Sequence, residues 1–391
     1  MDQRQLRFGA FVSPFHNCDE SVSTLLERDM QLVEHLDRIG FHEFWVGEHH
    51  SGGMETIPSP ELFLAAVAER TKRIKLCTGV VSLPYHNPLT VADRITQLDH
   101  QSKGRVVFGV GPGSLPSDVY MMGRDPLRIR EMAEQLLDVI IPLLRGEIVD
   151  KETDFFTLRH ARAQLGSFQF PHPEVVVAAT ASPYGPQLAG KHGAGLLSLG
   201  ATSKAGFDAL KTTWDIWNGE ATKQGHTVNR ASWRLVGPVH IAETREQARK
   251  NVAYGLPQWI RYFKRVSALP IATEIDASLD EQIDAMVGSG MAVIGTPDDL
   301  IARLHQLWDQ SGGFGCWLDM NHDWADFENT KKSYELIARF VMPSLHQGTR
   351  GRNESMEWAA ANRGQFLDMR AKAVQQEHDK WAEKNRKPAA E

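Results

Sequence analysis

Cysteine is scarce in this 391-residue chain: Cys18, Cys77 and Cys316 are the only three, and they form no CxxC or metal-ligand spacing. A disulfide framework is thereby excluded, and the thiols read as small buried or surface groups in a reducing compartment. Long apolar runs are missing too. The longest, such as Val175 to Ala179, fall far short of the ~20 residues a membrane helix needs. The opening MDQRQLRFGAF has no charged stretch followed by an apolar one, so no secretory signal is expected. Positive charge is not in excess: 43 basic against 49 acidic residues give a net charge of −6, which argues against nucleic acid and anionic membranes as partners. What remains is an ordinary globular composition, 42% hydrophobic and 24% charged, long enough to bury a core without staples. A soluble, cytoplasmic protein is expected.

Short β-branched or aromatic runs alternate with longer helical patterns, as in successive βαβ units of a parallel sheet. Strands are expected at about 7–12, 44–47, 74–83, 105–110, 174–178, 195–199, 235–241 and 314–320. Leu25, Met30, Leu32, Val33 and Leu36 repeat at helical spacing within 21–38, and Val91, Ile95 and Leu98 within 88–101. Further helices are expected over 60–71, 128–145 and 328–345, and one from Thr244 through Phe263. Before another, Thr296 reads as an N-cap, Pro297 as the first helical residue, and Asp298 and Asp299 as first-turn charges. Two excursions break the cadence, a hairpin or irregular stretch at 146–170 and a polar one at 268–290. Long insertions at barrel loops often serve as lids, and both are candidates.

Eight strands, each followed by a helix, predict an α/β fold of the TIM (β/α)8 barrel class spanning 1–347; a doubly wound open sheet shares the same pattern. Residues 348–391 are charged and lack strand signals, with Trp358, Phe366, Met369 and Trp381 near helical spacing. They predict a C-terminal helical extension docked on the barrel.

Barrel sites lie at the carboxyl ends of the strands, so polar residues there carry most information. The second strand ends in Glu48-His49-His50. A metal site would need further ligands, and no HxH or HExxH pattern supplies them. A structural histidine bonded to Glu48 is one reading; a general acid/base histidine titrating near working pH is the favoured one. Gly109-Val110-Gly111-Pro112-Gly113 suggests dinucleotide binding, yet Pro112 and a polar loop separate it from the next helix. A bend passing close to a flat ligand suits it better, and no other stretch offers a nicotinamide signature. Thr180-Ala181-Ser182 precedes Pro183 and a helix start, which fits either a phosphate cradle or simple capping by Ser182. Asn321-His322-Asp323-Trp324 closes the eighth strand, and Phe11, Phe15, Trp45, Trp317 and Trp324 near strand ends suit an apolar pocket or plain core.

In order along the chain, RFGAFVSPFH at 7–16, EFWVGEHHSGG at 43–53, AERTKRIKLCTGVVSLPYHNPL at 68–89 and ADRITQLDHQSKGRVVFGVGPGSLPSD at 92–118 resemble the bacterial luciferase-like flavin monooxygenases. GTPDDL at 295–300 and the stretch Trp358 to Arg363 support the likeness, which spans essentially the whole chain. The resemblance implies a TIM barrel that binds reduced FMN, with FAD possible, delivered by a separate NAD(P)H-dependent flavin reductase. It implies that His49, with Glu48 beside it, is the catalytic histidine. Thr78 and the pair Gly79-Val80, a non-proline cis peptide in such proteins, would lie beneath the flavin ring with Gly111, and Thr180, Ala181 and Ser182 would hold its phosphate. Gly111 replaces a reactive cysteine of luciferases, and Asn87 stands where the motif commonly has histidine.

The implied reaction oxygenates a small hydrophobic substrate with O2 through a C4a-(hydro)peroxyflavin, by epoxidation, hydroxylation or Baeyer–Villiger insertion, with His49 setting the protonation state. The protein would have to shield that adduct from water. A homodimer is the family's expected assembly. Two other readings stay open: an F420-dependent hydride-transferring oxidoreductase on the same barrel, and a non-catalytic flavin-binding subunit.

Overall fold

The computed structural model describes residues 5–13, 15–113, 115–267, 271 and 273–386. Eight parallel strands form the barrel: β1 (Arg7–Val12), β2 (Glu43–Val46), β3 (Lys75–Thr78), β4 (Val106–Gly111), β5 (Glu174–Ala179), β6 (Gly195–Ser198), β7 (Trp233–Ile241) and β8 (Cys316–Asn321). Each pairs with the next, and β8 closes on β1 with Arg7 opposite Cys316 and Val12 opposite Asn321. Closure settles the barrel against the open doubly wound sheet. The strands read as continuous apolar runs because both their faces are covered, one by helices and one by the barrel interior.

Alternate residues fill that interior. Phe11, Trp45, Cys77, Val107, Val176, Leu197, Val236 and Leu318 make one apolar cluster, all nearly inaccessible. Below it, at the amino ends of the strands, lies a layer of charge not expected from the strand pattern. Arg234, fully buried, donates to Glu43 at 3.1 Å from both Nε and Nη2, and to Glu174 at 2.5 and 2.8 Å. Trp45 Nε1 also donates to Glu43 at 2.9 Å, and Arg7 pairs with it at 3.1 Å. Burial opposes ionisation of Glu43, but the guanidiniums of Arg234 and Arg7 hold its carboxyl below the ordinary range.

Gly109 explains part of the glycine-rich stretch after Phe108. A Cβ there would meet Thr78 O at 1.9 Å, so glycine is required by close packing of β4 on β3 before any ligand is considered. Thr78 uses its hydroxyl at the same contact, donating to Gly109 O at 2.7 Å and accepting from Gly109 N at 2.9 Å. The expected strand 74–83 is interrupted here: β3 stops at Thr78, Gly79-Val80 is a cis peptide, and Val81–Ser82 resumes pairing with β4.

Asn87 replaces the histidine of the motif with a helix cap. Its side chain accepts from Leu89 N and Thr90 N at the start of the helix Pro88–Ser102. Asn87→Ala is expected to lower stability by about 1 kcal/mol, read from the denaturant midpoint. Thr296 is the anticipated N-cap of Pro297–Ser311, and Asp299 of the first turn reaches back to accept from Thr296 N at 2.9 Å. The helix expected from 244 through 263 is two helices, Arg245–Val252 and Leu256–Arg265. Gly255 breaks it because a Cβ there would sit 1.9 Å from Asp323 O, in the loop after β8.

Excursion 146–170 contains the antiparallel hairpin Val149–Glu152 and Thr157–Ala161. Gln169 donates to Asp99 and to Val106 O, which ties this segment to the amino end of β4. That is the face opposite the carboxyl ends of the strands, whereas the hairpin tip runs the other way, Asp154 and Phe155 meeting Arg128 at the start of the helix Ile129–Leu144. Part of excursion 268–290 lies outside the described residues; its described portion contains the helix Leu279–Gly288 and leads to a short strand, Val293–Gly295, that extends β7 in parallel.

Asp319 of β8 is buried, with Oδ1 accepting from Trp317 Nε1 at 2.5 Å and Oδ2 without a partner among the described residues. Burial pushes its pKa up to about 8, only partly offset by the Trp317 bond. The unfolded carboxyl titrates near pH ~4. Between these values the folded chain keeps a proton that the unfolded chain releases, so this group's contribution to stability falls as pH rises toward 8. Asp319→Asn should therefore gain on the wild type between pH 5 and 8 in thermal melts. A difference in Tm that does not change with pH would contradict this.

Residues 346–391 form a second compact unit. Its helices, Arg350–Ala361 and Arg363–Lys384, have no buried side chain, and Trp358 lies 5.2 Å from Phe366, ring to ring. Among the described residues, no helix is long and apolar enough to cross a membrane.

Candidate active site

Where β2 ends, the chain turns outward at Gly47 and presents its three titratable residues to different partners. His49 lies between two carboxylates. Its Nδ1 is 3.0 Å from Asp118 Oδ2, and its Nε2 is 3.0 Å from Glu55 Oε2. The first contact is a well-formed hydrogen bond. The second is an ion pair with poor alignment, since Glu55 Oε2 makes no hydrogen bond. Asp118 is fully spent: Oδ1 accepts from His50 N at 3.1 Å and from Ser51 Oγ at 2.5 Å.

Burial works against a charged imidazole here, but Glu55 and Asp118 outweigh it and lift the His49 pKa to about 10. The sequence reading of a histidine titrating near working pH is corrected by those two neighbours. At neutral pH His49 is a standing imidazolium, a hydrogen-bond donor at both nitrogens and not a base. Burial also opposes ionisation of Asp118, yet its bonds from His49 and Ser51 keep the carboxyl low.

Glu48 faces elsewhere. Its Oε1 accepts from His50 Nε2 at 2.9 Å and His86 Nε2 at 2.7 Å, and its Oε2 from Ser82 N at 2.6 Å. Arg94 donates to His86 Nδ1 at 3.2 Å, so the hydrogen on His86 sits at Nε2 and points to Glu48. The two readings of the histidine pair thus divide between them: His50 is the one bonded to Glu48, and His49 is held by residues outside the EHH triplet. Glu48 in turn anchors the segment that follows the cis peptide.

The imidazole and that peptide are neighbours. A Cβ added at Gly47 would lie 3.5 Å from Gly79 O and 4.0 Å from His49 Cδ2. Beyond, Gly111 abuts Val80, whose Cγ2 is 2.9 Å from where a Cβ would stand, and Ala178 is 3.7 Å away. Gly79, Val80, Gly111 and Ala178 therefore make a floor of small residues at the carboxyl ends of β3, β4 and β5. A flat ring system fits such a floor, and a larger side chain at 111 would have to displace Val80. Thr78, fully buried with its hydroxyl committed to Gly109, can reach a ligand only through its main chain. Thr180 and Ala181 are exposed at the end of β5, with Ser182 half-buried. No side chain caps the helix Tyr184–Lys191, whose N-cap is Pro183 rather than Ser182. Its hydroxyl neighbours and first-turn N–H groups suit a phosphate.

Phe11, Phe15, Trp45, Trp317 and Trp324 are all at most 3% exposed, in keeping with the core reading, and Trp324 lines a small cavity with His240, Asp319 and His322. His322 stacks on Trp324 with centroids 3.6 Å apart, and burial, with His240 nearby, holds it neutral. Asp323 joins His16, which also bonds Asp29 at 2.8 Å; burial resists but the two aspartates raise His16 to about 9. Among the described residues no group of three metal-ligating side chains is assembled. Sequence reasoning missed Asp118, Glu55, Tyr262 and His86. Asp118 alone had a signal, as an acidic residue in the polar loop after β4.

Comparison with known proteins agrees with this geometry. The family profile described as luciferase-like monooxygenase matches residues 6–313. Limonene 1,2-monooxygenase of Rhodococcus erythropolis is 46% identical over 360 residues, covering 91% of this chain and 92% of that protein. 4-Hydroxyprotoasukamycin monooxygenase of Streptomyces nodosus subsp. asukaensis is 43% identical, covering 91% and 96%. Among solved structures, the oxygenating constituent of 3,6-diketocamphane monooxygenase from Pseudomonas putida, a type II Baeyer–Villiger enzyme in complex with FMN, superposes with a TM-score of 0.72 at 24% identity, over 87% of this chain and 98% of that one. With the barrel, the small-residue floor and these matches in hand, the chain belongs to the luciferase-like monooxygenases.

Proposed function

We propose that this chain is the cytoplasmic oxygenase component of a two-component system, taking reduced FMN from a separate NAD(P)H-dependent reductase and inserting one oxygen atom from O2 into a small hydrophobic substrate. The observation that carries the reading is the imidazolium of His49 held beside a flat floor of small residues, Gly79, Val80, Gly111 and Ala178. When bound, reduced flavin would supply the electrons and the activation of O2. Relatives bear the names limonene 1,2-monooxygenase and 2,5-diketocamphane 1,2-monooxygenase, and another is named the oxygenase component of a flavin-dependent trigonelline monooxygenase. Such names favour oxygen transfer over hydride transfer to F420 and over a non-catalytic subunit.

The chain's own residues have separable tasks in this reading. Gly79, Val80 and Gly111, with the main chain of Thr78, would support the ring. Thr180, Ala181 and Ser182, with the first turn of Tyr184–Lys191, would take the phosphate. His49, cationic throughout the working range, would hold a proton at Nε2 and stabilise negative charge developing on oxygen near it. Glu48 would position the segment after Gly79-Val80 through Ser82 N and His86. A homodimer is part of the proposal.

The test supplies the chain with reduced FMN from a generic reductase, 18O2 and a panel of cyclic alkenes and ketones. One labelled oxygen per product molecule is expected. Oxygen consumption that yields only hydrogen peroxide with every substrate, at the rate of free reduced flavin, would overturn the reading.

A further inference from the structure

The Ser51-Gly52-Gly53 stretch after EHH leads to Glu55, whose carboxylate does two things at once. Its Oε1 accepts from Tyr262 Oη at 2.8 Å, and its Oε2 is 3.0 Å from His49 Nε2. Its side chain is 6% exposed, so both contacts form out of water. Tyr262 belongs to the helix Leu256–Arg265, and this helix packs on the loop from a second direction. Phe15 pairs with Glu55 in an antiparallel bridge, and its ring lies 5.3 Å from those of Tyr262 and Phe263. Gly52 and Gly53 have φ of +84° and +81°, and a Cβ at Gly52 would stand 3.0 Å from Tyr262 Oη. The loop is therefore shaped so that the tyrosine hydroxyl reaches Glu55.

We infer that Glu55 is a positioning residue for His49, its carboxylate facing Nε2 as an ion-pair partner, and that Tyr262 latches the helix Leu256–Arg265 to it. The inference rests on the proposed role of His49. The remaining titratable groups around His49 are Asp118, His50, whose ring stacks edge-on to Tyr85 at 5.8 Å, and Tyr262 itself. Asp118 is committed by His50 N and Ser51, so it anchors one side of the imidazole whatever the helix does. Glu55 is the partner tied to the helix, through Tyr262. With Tyr262 in place the imidazole has a carboxylate at each nitrogen, Asp118 at Nδ1 and Glu55 at Nε2.

The flavin-free protein labelled with 15N-histidine provides the first readout, the His49 signal being the one lost in His49→Gln. Wild-type His49 should remain an imidazolium up to about pH 10, and Glu55→Gln should lower its titration midpoint by ~1–3 pH units, the usual effect of removing a contacting opposite charge. A midpoint unchanged in Glu55→Gln removes Glu55 from the role. Hydrogen exchange gives the second readout. Amides of 256–265 should exchange about 10-fold faster or more in Tyr262→Phe, as expected for loss of a bond to a charged acceptor, and equally fast in Glu55→Gln and the double variant. Unchanged exchange in Tyr262→Phe, or additive effects in the double variant, would break the latch. Neither readout needs turnover: if both behave as expected and no oxygen is transferred, the oxygenase reading fails and this inference stands.

Discussion

His49→Ala is expected to cut product formation ~10²- to 10³-fold while oxygen consumption continues, hydrogen peroxide replacing product. Two observations converge on this size of effect. The imidazole sits across Gly47 from the Gly79-Val80 peptide, and its two carboxylate partners keep it charged to about pH 10. Alanine removes the donor and leaves Asp118 and Glu55 facing each other without a cation between them, which also raises the barrier for any negative charge forming nearby. Product and peroxide measured together in a reductase-coupled assay decide the matter, and unchanged product per O2 consumed would remove His49 from the chemistry. The same pKa makes a second, independent statement. Between pH 6 and 9 His49 does not titrate, so it should add no limb to the pH profile of coupling, whereas a general base titrating near 6.5 would add one.

Arg234→Met is expected to destabilise the barrel by ~3–5 kcal/mol, the largest effect we anticipate from one substitution outside the candidate site. The guanidinium is inaccessible, and removing it strands Glu43, which is 1% exposed, in the barrel interior. Arg7 remains within 3.1 Å of Glu43 but is itself 35% exposed, so it screens only part of the loss. Glu174, 37% exposed, can find water and contributes less. The denaturant midpoint should fall without a change in slope. A variant that also replaces Glu43 and Glu174 with apolar residues of similar volume should regain most of the loss, because no buried charge is then left unpaired. Failure of the combined variant to recover would mean that the layer stabilises through packing rather than charge.

The strands were legible because each is covered on both faces, which makes a parallel barrel strand a short apolar run between turn signals. Helix starts such as Thr296-Pro297 were legible because a cap is a local bargain between a side chain and the next three amides. The break at Gly255 was not, since its cause is a carbonyl at Asp323, 68 residues on (323 − 255), that only the closed barrel brings against it. The course of 146–170 was likewise decided by contacts far along the chain, Gln169 meeting Asp99 and Val106 O, and Asp154 meeting Arg128.

The candidate site divides along the same line. The amino-acid order alone determined that His49 stands at the end of a barrel strand, that Gly79, Val80 and Gly111 are small, and that Thr180 to Ser182 precede a helix. Tertiary structure decided what those residues can do. Asp118 and Glu55 approach His49 from the short helix Pro116–Met121 after β4 and from beyond two left-handed glycines, and Tyr262 from a helix 213 residues further along (262 − 49). Helical and strand periodicities are set by neighbours within a few positions, so they are written in the sequence. A pKa is set by charge and burial within a few ångströms in space, which chain separation does not record, and so the charge of His49 emerges only when the barrel closes.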